Sequence, residues 1–94
     1  MEEINDFIDT IVGKMESLSR SIDRMEQCSK NSAEWKKLLA SCKEGKYGVA
    51  KIDKDIKGLQ YDLKRLPKDR EQEYTDRLVS LKAKLNKLQR RLDS

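Results

Sequence analysis

Apolar residues recur at alternating intervals of three and four positions along most of the chain. The three runs with this spacing, named stripes 1, 2 and 3, are Ile4, Ile8, Ile11, Met15, Leu18, Ile22 and Met25; Trp35, Leu38, Cys42, Gly45, Val49, Ile52, Ile56, Leu59, Leu63 and Leu66; and Tyr74, Leu78, Leu81, Leu85, Leu88 and Leu92. An α-helix has about 3.6 residues per turn, so this spacing places each run on one side of a helix. A mean interval close to 3.5 is typical of helices that pack lengthwise, as in coiled coils.

Two polar interruptions separate the stripes. In the first, Asn31 followed by Glu34 three positions later has the pattern of a capping box, which starts a helix. The second contains Pro67, which cannot continue a helix without losing a backbone hydrogen bond, and Asp69 after it suits the N-cap of a new helix. These signals predict helices over residues 3–27, 31–66 and 69–93.

Each helix would leave its stripe in water unless the three stripes pack together. We therefore predict an all-α fold: one domain over residues 1–94, an elongated antiparallel three-helix bundle with left-handed, coiled-coil-like packing. Gly45, Gly48 and Gly58 fall inside the middle helix, where each costs about 1 kcal/mol relative to alanine. A break at the EGKYG segment would give four helices. Because the spacing passes through the glycines without a shift, we favour a continuous middle helix.

Composition argues against catalysis and against a metal or cofactor site. The chain has no histidine, the commonest general base and metal ligand, and it has no nucleotide-binding loop or hydrolase nucleophile motif. Its two cysteines, Cys28 and Cys42, lack a second pair that would suit zinc. We expect no catalytic, cofactor-binding or metal-binding residues, and two reduced thiols with Cys42 buried. No segment approaches the ~18 consecutive apolar residues of a membrane span.

Outward-facing residues of the predicted helices are the candidates for binding. Tyr47, Lys54 and Tyr61 fall opposite stripe 2 at intervals of seven, and Arg77 adds a cation near the start of the third helix. Aromatic residues beside cations are typical of protein interfaces, although they also cover neighbouring lysine stems on an inert surface. The alternative site is the acidic first helix, around Asp6, Asp9 and Glu16.

The last helix also carries a basic row opposite its leucines. Its members are Lys82, Lys84, Lys87, Arg90 and Arg91. Such a row could follow a phosphate backbone, so a small basic nucleic-acid binder is an alternative function. We favour an ordinary solvent-exposed face, because acidic residues interrupt the row and no aromatic residue lies within it.

One set of residues between positions 49 and 92 has the spacing of a known family: Leu59, Leu63, Leu66, Pro67, Tyr74, Arg77, Leu78, Ser80, Lys82, Lys87 and Leu88. Through these residues the segment resembles the N-terminal three-helix (Habc) domain of the Vti-type Qb-SNAREs, the v-SNAREs that interact with t-SNAREs. Residues 67–82 carry most of its specificity. The family has Met-Asp where this chain has Leu59-Gln60, and tyrosine where it has Leu81.

The resemblance implies a regulatory docking domain for vesicle trafficking and membrane fusion, on the cytosolic face of Golgi and endosomal membranes. Its partners would be ENTH-domain sorting adaptors, and other SNAREs through a heptad motif after Ser94 that would precede a C-terminal membrane anchor. We expect this chain by itself to be soluble and monomeric, without nucleic-acid binding. A different three-helix interaction module, such as a spectrin-like or adaptor bundle, is the alternative.

Overall fold

The computed structural model describes the backbone of residues 2–93 and the side chains of residues 4–93, and its regular structure there is entirely helical. The helices are α1 (Glu2–Gln27), α2 (Ala33–Glu44), α3 (Val49–Lys64) and α4 (Lys68–Asp93). The all-α class is confirmed, and each of the three predicted helical stretches is helical over most of its length. The molecule is elongated, with extents of 50 × 20 × 16 Å.

The prediction of one continuous helix over residues 31–66 is wrong, because the chain leaves the helical conformation between Gly45 and Gly48. Both glycines have extended backbones, with ψ of −179° and 166°. A Cβ atom on Gly45 would lie 2.4 Å from the carbonyl oxygen of Ser41, and one on Gly48 would lie 2.9 Å from the carbonyl group of Lys43. The chain therefore makes a turn that glycine allows and that any side chain would obstruct.

Helix α2 begins two residues later than predicted. Ser32 is its N-cap, and the Ser32 Oγ accepts a hydrogen bond of 3.2 Å from the backbone N–H of Trp35. Asn31, the predicted cap, instead has a φ of 69°. Asparagine is one of the few residues found regularly in that left-handed region, so Asn31 supplies the turn and the serine after it supplies the cap.

Helix α4 begins directly after Pro67, one residue earlier than predicted. The carbonyl oxygen of Pro67 accepts hydrogen bonds from the N–H groups of Arg70 and Glu71, at 3.0 and 2.9 Å. Asp69 is therefore in the first turn and is not the N-cap. Together with Glu71 it places negative charge near the positive end of the helix dipole, which stabilises the start of α4.

The core is built from the three stripes. The hydrophobic residues that are buried within the described chain are Ile8, Ile11, Met15, Leu18, Ile22, Met25, Cys42, Ile52, Ile56, Leu59, Leu63, Tyr74, Leu78, Leu81, Leu85, Leu88 and Leu92. Every one of them belongs to a predicted stripe, so the register of burial is confirmed. Trp35, the first residue of stripe 2, is partly buried and packs against this cluster.

Polar contacts fix how α1 lies beside α4. Near the start of both helices, the Nη1 atom of Arg77 donates a hydrogen bond of 3.1 Å to the Oδ1 atom of Asn5. Near their ends, Arg91 contacts both Asp23 and Glu26. Residue numbers therefore rise in the same direction along the two helices.

Helix α3 contacts α4 on one side and α1 on another. The Nζ atom of Lys82 donates a hydrogen bond of 3.0 Å to the Oε1 atom of Gln60, which joins α4 to α3. The Nζ atom of Lys14 lies 2.7 Å from a carboxylate oxygen of Asp55, which joins α1 to α3. Both side chains of this ion pair are about three-quarters buried, at 27% exposure each. The pair is therefore better shielded from solvent than an ordinary surface ion pair.

Candidate functional site

Two of the predicted binding residues, Lys54 and Tyr61, lie on one exposed side of α3. They are seven residues apart, so they are separated by about 20° around the helix and by about 10 Å along it. Tyr61 is 66% exposed. The buried residues of α3 are Ile52, Ile56, Leu59 and Leu63. Because these anchor the opposite side of the helix, Lys54 and Tyr61 are available to a partner without any change in the core.

Tyr47 does not lie on a helix, contrary to the prediction. It occupies the turn between α2 and α3, directly before the N-cap residue Gly48, and its side chain is 44% exposed. The Nζ atom of Lys46 lies 5.6 Å from the centre of its ring, within the range of a cation–π contact. Tyr47 therefore flanks the start of α3 instead of continuing the row of Lys54 and Tyr61. We name Tyr47, Lys54 and Tyr61 together the α3 surface.

Arg77 lies on a different side of α4 from the side that contacts α3. Its guanidinium group bonds to Asn5 of α1, whereas Lys82 makes the contact with Gln60 of α3. Positions 77 and 82 are five residues apart, which separates them by about 140° around the helix. The structure therefore brings Arg77 to the α1–α4 contact and does not place it beside Tyr61.

The acidic alternative site is distributed along α1. Asp6, Asp9 and Glu16 are all exposed. Asp9 and Glu16 line the space between α1 and α4, where they face basic residues of α4. They are therefore part of a mixed-charge surface and do not form a purely acidic one.

The basic row of α4 is partly engaged within the protein. Lys82 bonds to Gln60, and Arg91 bonds to Glu26 and Asp23. The hydrogen bond of Arg91 to Glu26, and to a smaller extent that to Asp23, raises the pKa of Arg91 above its already high value. Because carboxylates of α1 lie close to this row, its positive potential is weaker than that of a phosphate-binding face. This arrangement favours the interpretation of the row as an ordinary solvent-exposed face.

The two thiols are both free in the structure. Cys42 is 1% exposed, as predicted, and burial raises its pKa. Cys28 is partly exposed, and its Sγ atom donates a weak hydrogen bond of 3.4 Å to the carbonyl oxygen of Arg24. A buried thiol with a raised pKa is a poor nucleophile, so Cys42 has the properties of a core side chain.

The groove between α1 and α4 was not predicted from the sequence. Val12 was its one signal, because it is apolar and lies beside stripe 1 without belonging to it. In the structure Val12 is partly buried and lines this groove together with Lys84. The groove depends on which helices become neighbours, and the spacing of apolar residues within one helix does not contain that information.

The described residues contain neither a metal-binding cluster nor a helix that could span a membrane. Between residues 2 and 93, no cluster of three or more histidine, cysteine, aspartate or glutamate side chains is arranged to hold a metal ion. Over the same residues, no helix combines the length and the hydropathy that crossing a bilayer requires.

No protein family, curated protein or solved structure matches the chain.

Proposed function

We propose that this chain is a protein-docking domain of the Habc type, equivalent to the N-terminal domain of the Vti-type Qb-SNAREs. It acts on the cytosolic face of Golgi and endosomal membranes, where it binds ENTH-domain sorting adaptors during vesicle trafficking and fusion. It has no catalytic role. The all-helical fold and the residues that carry the resemblance, from position 59 to position 88, support this proposal.

The arrangement of the helices is part of the proposal. Helices α1 and α4 point one way and the interrupted pair α2–α3 points the other way, in an antiparallel bundle with left-handed, coiled-coil-like packing. The contacts of Asn5 with Arg77 and of Asp23 with Arg91 support the common direction of α1 and α4. The near-3.5 spacing of the stripes supports the handedness.

The observation that carries the proposed function is the exposure of Tyr47 and Tyr61. Most stripe residues are buried, yet these two large side chains remain 44% and 66% exposed, and the ammonium group of Lys46 lies beside the ring of Tyr47. Tyrosine is enriched at the energetically dominant positions of protein interfaces. An aromatic surface flanked by cations suits a partner surface that is acidic and partly apolar.

Calorimetric titration with a purified ENTH-domain sorting adaptor tests the proposal. We expect the parent chain to bind, and the Tyr47→Ala, Tyr61→Ala double variant to bind at least ~30-fold more weakly, since truncating a dominant interface tyrosine costs about 2 kcal/mol or more. Val79→Ala is the matched control, because Val79 is 60% exposed on α4. The helical circular dichroism signal and melting temperature should be the same for all three proteins.

Two results of this titration would count against the proposal. If the double variant bound as tightly as the parent, the interface would lie elsewhere, with the acidic residues Asp6, Asp9 and Glu16 as the next candidates. If the parent did not bind at all, the SNARE assignment would lose its functional basis. An unrelated three-helix interaction module would then be the better description.

A further inference from the structure

Two adjoining pockets lie between α1 and α4, away from the α3 surface, and together they form the α1–α4 groove. Its two segments have volumes of about 360 and 250 Å³, and they share Val12 and Lys84. The floor of the groove is apolar and consists of the partly buried Val12 and of the slightly exposed surfaces of four core residues, Ile8, Met15, Leu81 and Leu88, which are 3–9% exposed. It extends over seven residues of each helix, which is two turns or about 10 Å. A floor of that length and composition matches the apolar ridge of one docked helix.

The two walls of the groove carry opposite charges. The α1 wall has the carboxylates Asp9 and Glu16, and the α4 wall has the cations Lys84 and Lys87. Within residues 4–93, none of these four side chains forms an ion pair. Beyond them, Arg91 lines the end of the groove and reaches across to Asp23 and Glu26 of α1. The open part of the groove is therefore an apolar floor between two rows of charges that lack internal partners.

We propose that the α1–α4 groove binds an amphipathic helix of another protein. The apolar ridge of that helix fills the floor, its carboxylates face Lys84 and Lys87, and its cations face Asp9 and Glu16. Opposite charges across an interface favour one partner and suppress others, because like charges brought together are costly. This binding goes beyond the proposed adaptor docking, which uses the α3 surface.

A nucleic acid and a second copy of this chain fit the groove less well than an amphipathic helix does. A nucleic acid would place phosphates next to Asp9 and Glu16, which repel them. A second copy of this chain would need an exposed apolar ridge, yet the large hydrophobic residues exposed in the described part of the chain are Tyr47, Tyr61 and Val79. Those three side chains do not share one helix face at the required spacing.

Three synthetic helical peptides of about three heptads each provide the probe. All have leucine or isoleucine along one ridge. The mixed peptide has glutamate on one flank and lysine on the other, whereas the acidic peptide has glutamate on both flanks and the basic peptide has lysine on both. Fluorescence anisotropy with the full chain should show that the mixed peptide binds, and that the other two bind at least ~10-fold more weakly because each meets one wall of like charge.

A charge reversal makes the test specific to the groove. The Lys84→Glu, Lys87→Glu variant should lose at least ~10-fold in affinity for the mixed peptide and should gain affinity for the basic peptide, since both walls are then acidic. The Lys36→Glu, Lys37→Glu variant changes the net charge equally on α2 and should behave like the parent. Binding of the ENTH-domain adaptor should be the same in both variants, so failure of this inference is distinguishable from failure of the proposed function.

Three results would overturn the inference. The first is that no peptide binds the parent chain. The second is that the reversal at Lys84 and Lys87 changes peptide affinity no more than the reversal at Lys36 and Lys37 does. The third is that sedimentation shows a dimer of the parent that the Lys84→Glu, Lys87→Glu variant dissociates, because a second copy would then occupy the groove.

Discussion

Alanine at Gly45 or Gly48 should destabilise the fold, whereas alanine at Gly13 or Gly58 should stabilise it. Gly13 and Gly58 lie within α1 and α3, and a Cβ atom added at either position would meet nothing within 4 Å. Each of these two substitutions should add about 0.5–1 kcal/mol to the free energy of unfolding, because alanine loses less conformational entropy than glycine when a helix forms.

Alanine at either glycine of the turn, Gly45 or Gly48, should instead lower the free energy of unfolding. The Cβ atom of alanine at position 45 would lie 2.4 Å from the carbonyl oxygen of Ser41, and that at position 48 would lie 2.9 Å from the backbone of Lys43. Because the obstructing atoms belong to the backbone, relief requires the turn itself to move. We expect a loss of about 1–3 kcal/mol, the usual cost of inserting a methyl group where there is no room.

Urea unfolding followed by circular dichroism measures all four single variants under the same conditions. For a chain of this length, each 1 kcal/mol corresponds to about 4–8 °C in melting temperature, so thermal melts provide a second measurement. If the helix ran continuously through residues 45–48, all four alanines would stabilise the fold by similar amounts. That result would refute the interrupted helix and restore the continuous one.

Further predictions concern the core, the thiols and one ion pair. Leu59→Ala should lower the free energy of unfolding by about 2–5 kcal/mol, and Lys87→Ala by less than about 0.5 kcal/mol, as measured in urea. Cys28 should react with a thiol reagent in the folded protein. Cys42 should react only at the rate at which local or global unfolding exposes it. Because burial raises the pKa of Cys42 above its usual 9.0, the folded state holds that proton more tightly than the unfolded chain does. The stability of the parent relative to Cys42→Ala should therefore fall as the pH rises above 9. Arg91→Gln should cost about 0.5–1 kcal/mol at low salt and less in concentrated salt, since the side chains of its partners Asp23 and Glu26 are 57% and 47% exposed.

Burial could be predicted from sequence because spacing within a helix decides which side chains share a face. Ile52, Ile56 and Leu59 follow that rule directly, and their exposure is 1% or less. The same spacing gave no indication of the break at residues 45–48. Cys42 and Ile52 are buried on either side of the turn, so the stripe continues across it without a change of interval. The combined cost of two glycines only three residues apart was the signal that favoured an interruption.

The candidate site was predictable only where it depended on a single helix. The exposed positions of Lys54 and Tyr61 follow from the register of α3. The predicted position of Tyr47 on a helix was wrong, because that prediction required the helix to continue through Gly48. The α1–α4 groove depends on which helices are neighbours, and the contact of Arg77 with Asn5 spans 72 positions, so spacing along one helix could not predict either.

The most direct test of the central claim is a nuclear magnetic resonance titration of the isotope-labelled chain with an ENTH-domain sorting adaptor, followed through the backbone amide signals. If the α3 surface is the docking site, the signals of Tyr47, Lys54 and Tyr61 and of their immediate neighbours should shift as adaptor is added. The signals of Val12 and Lys84, in the α1–α4 groove, should stay in place. Saturating adaptor that shifts no signal, or that shifts only signals of α1 and α4, would contradict docking at the α3 surface.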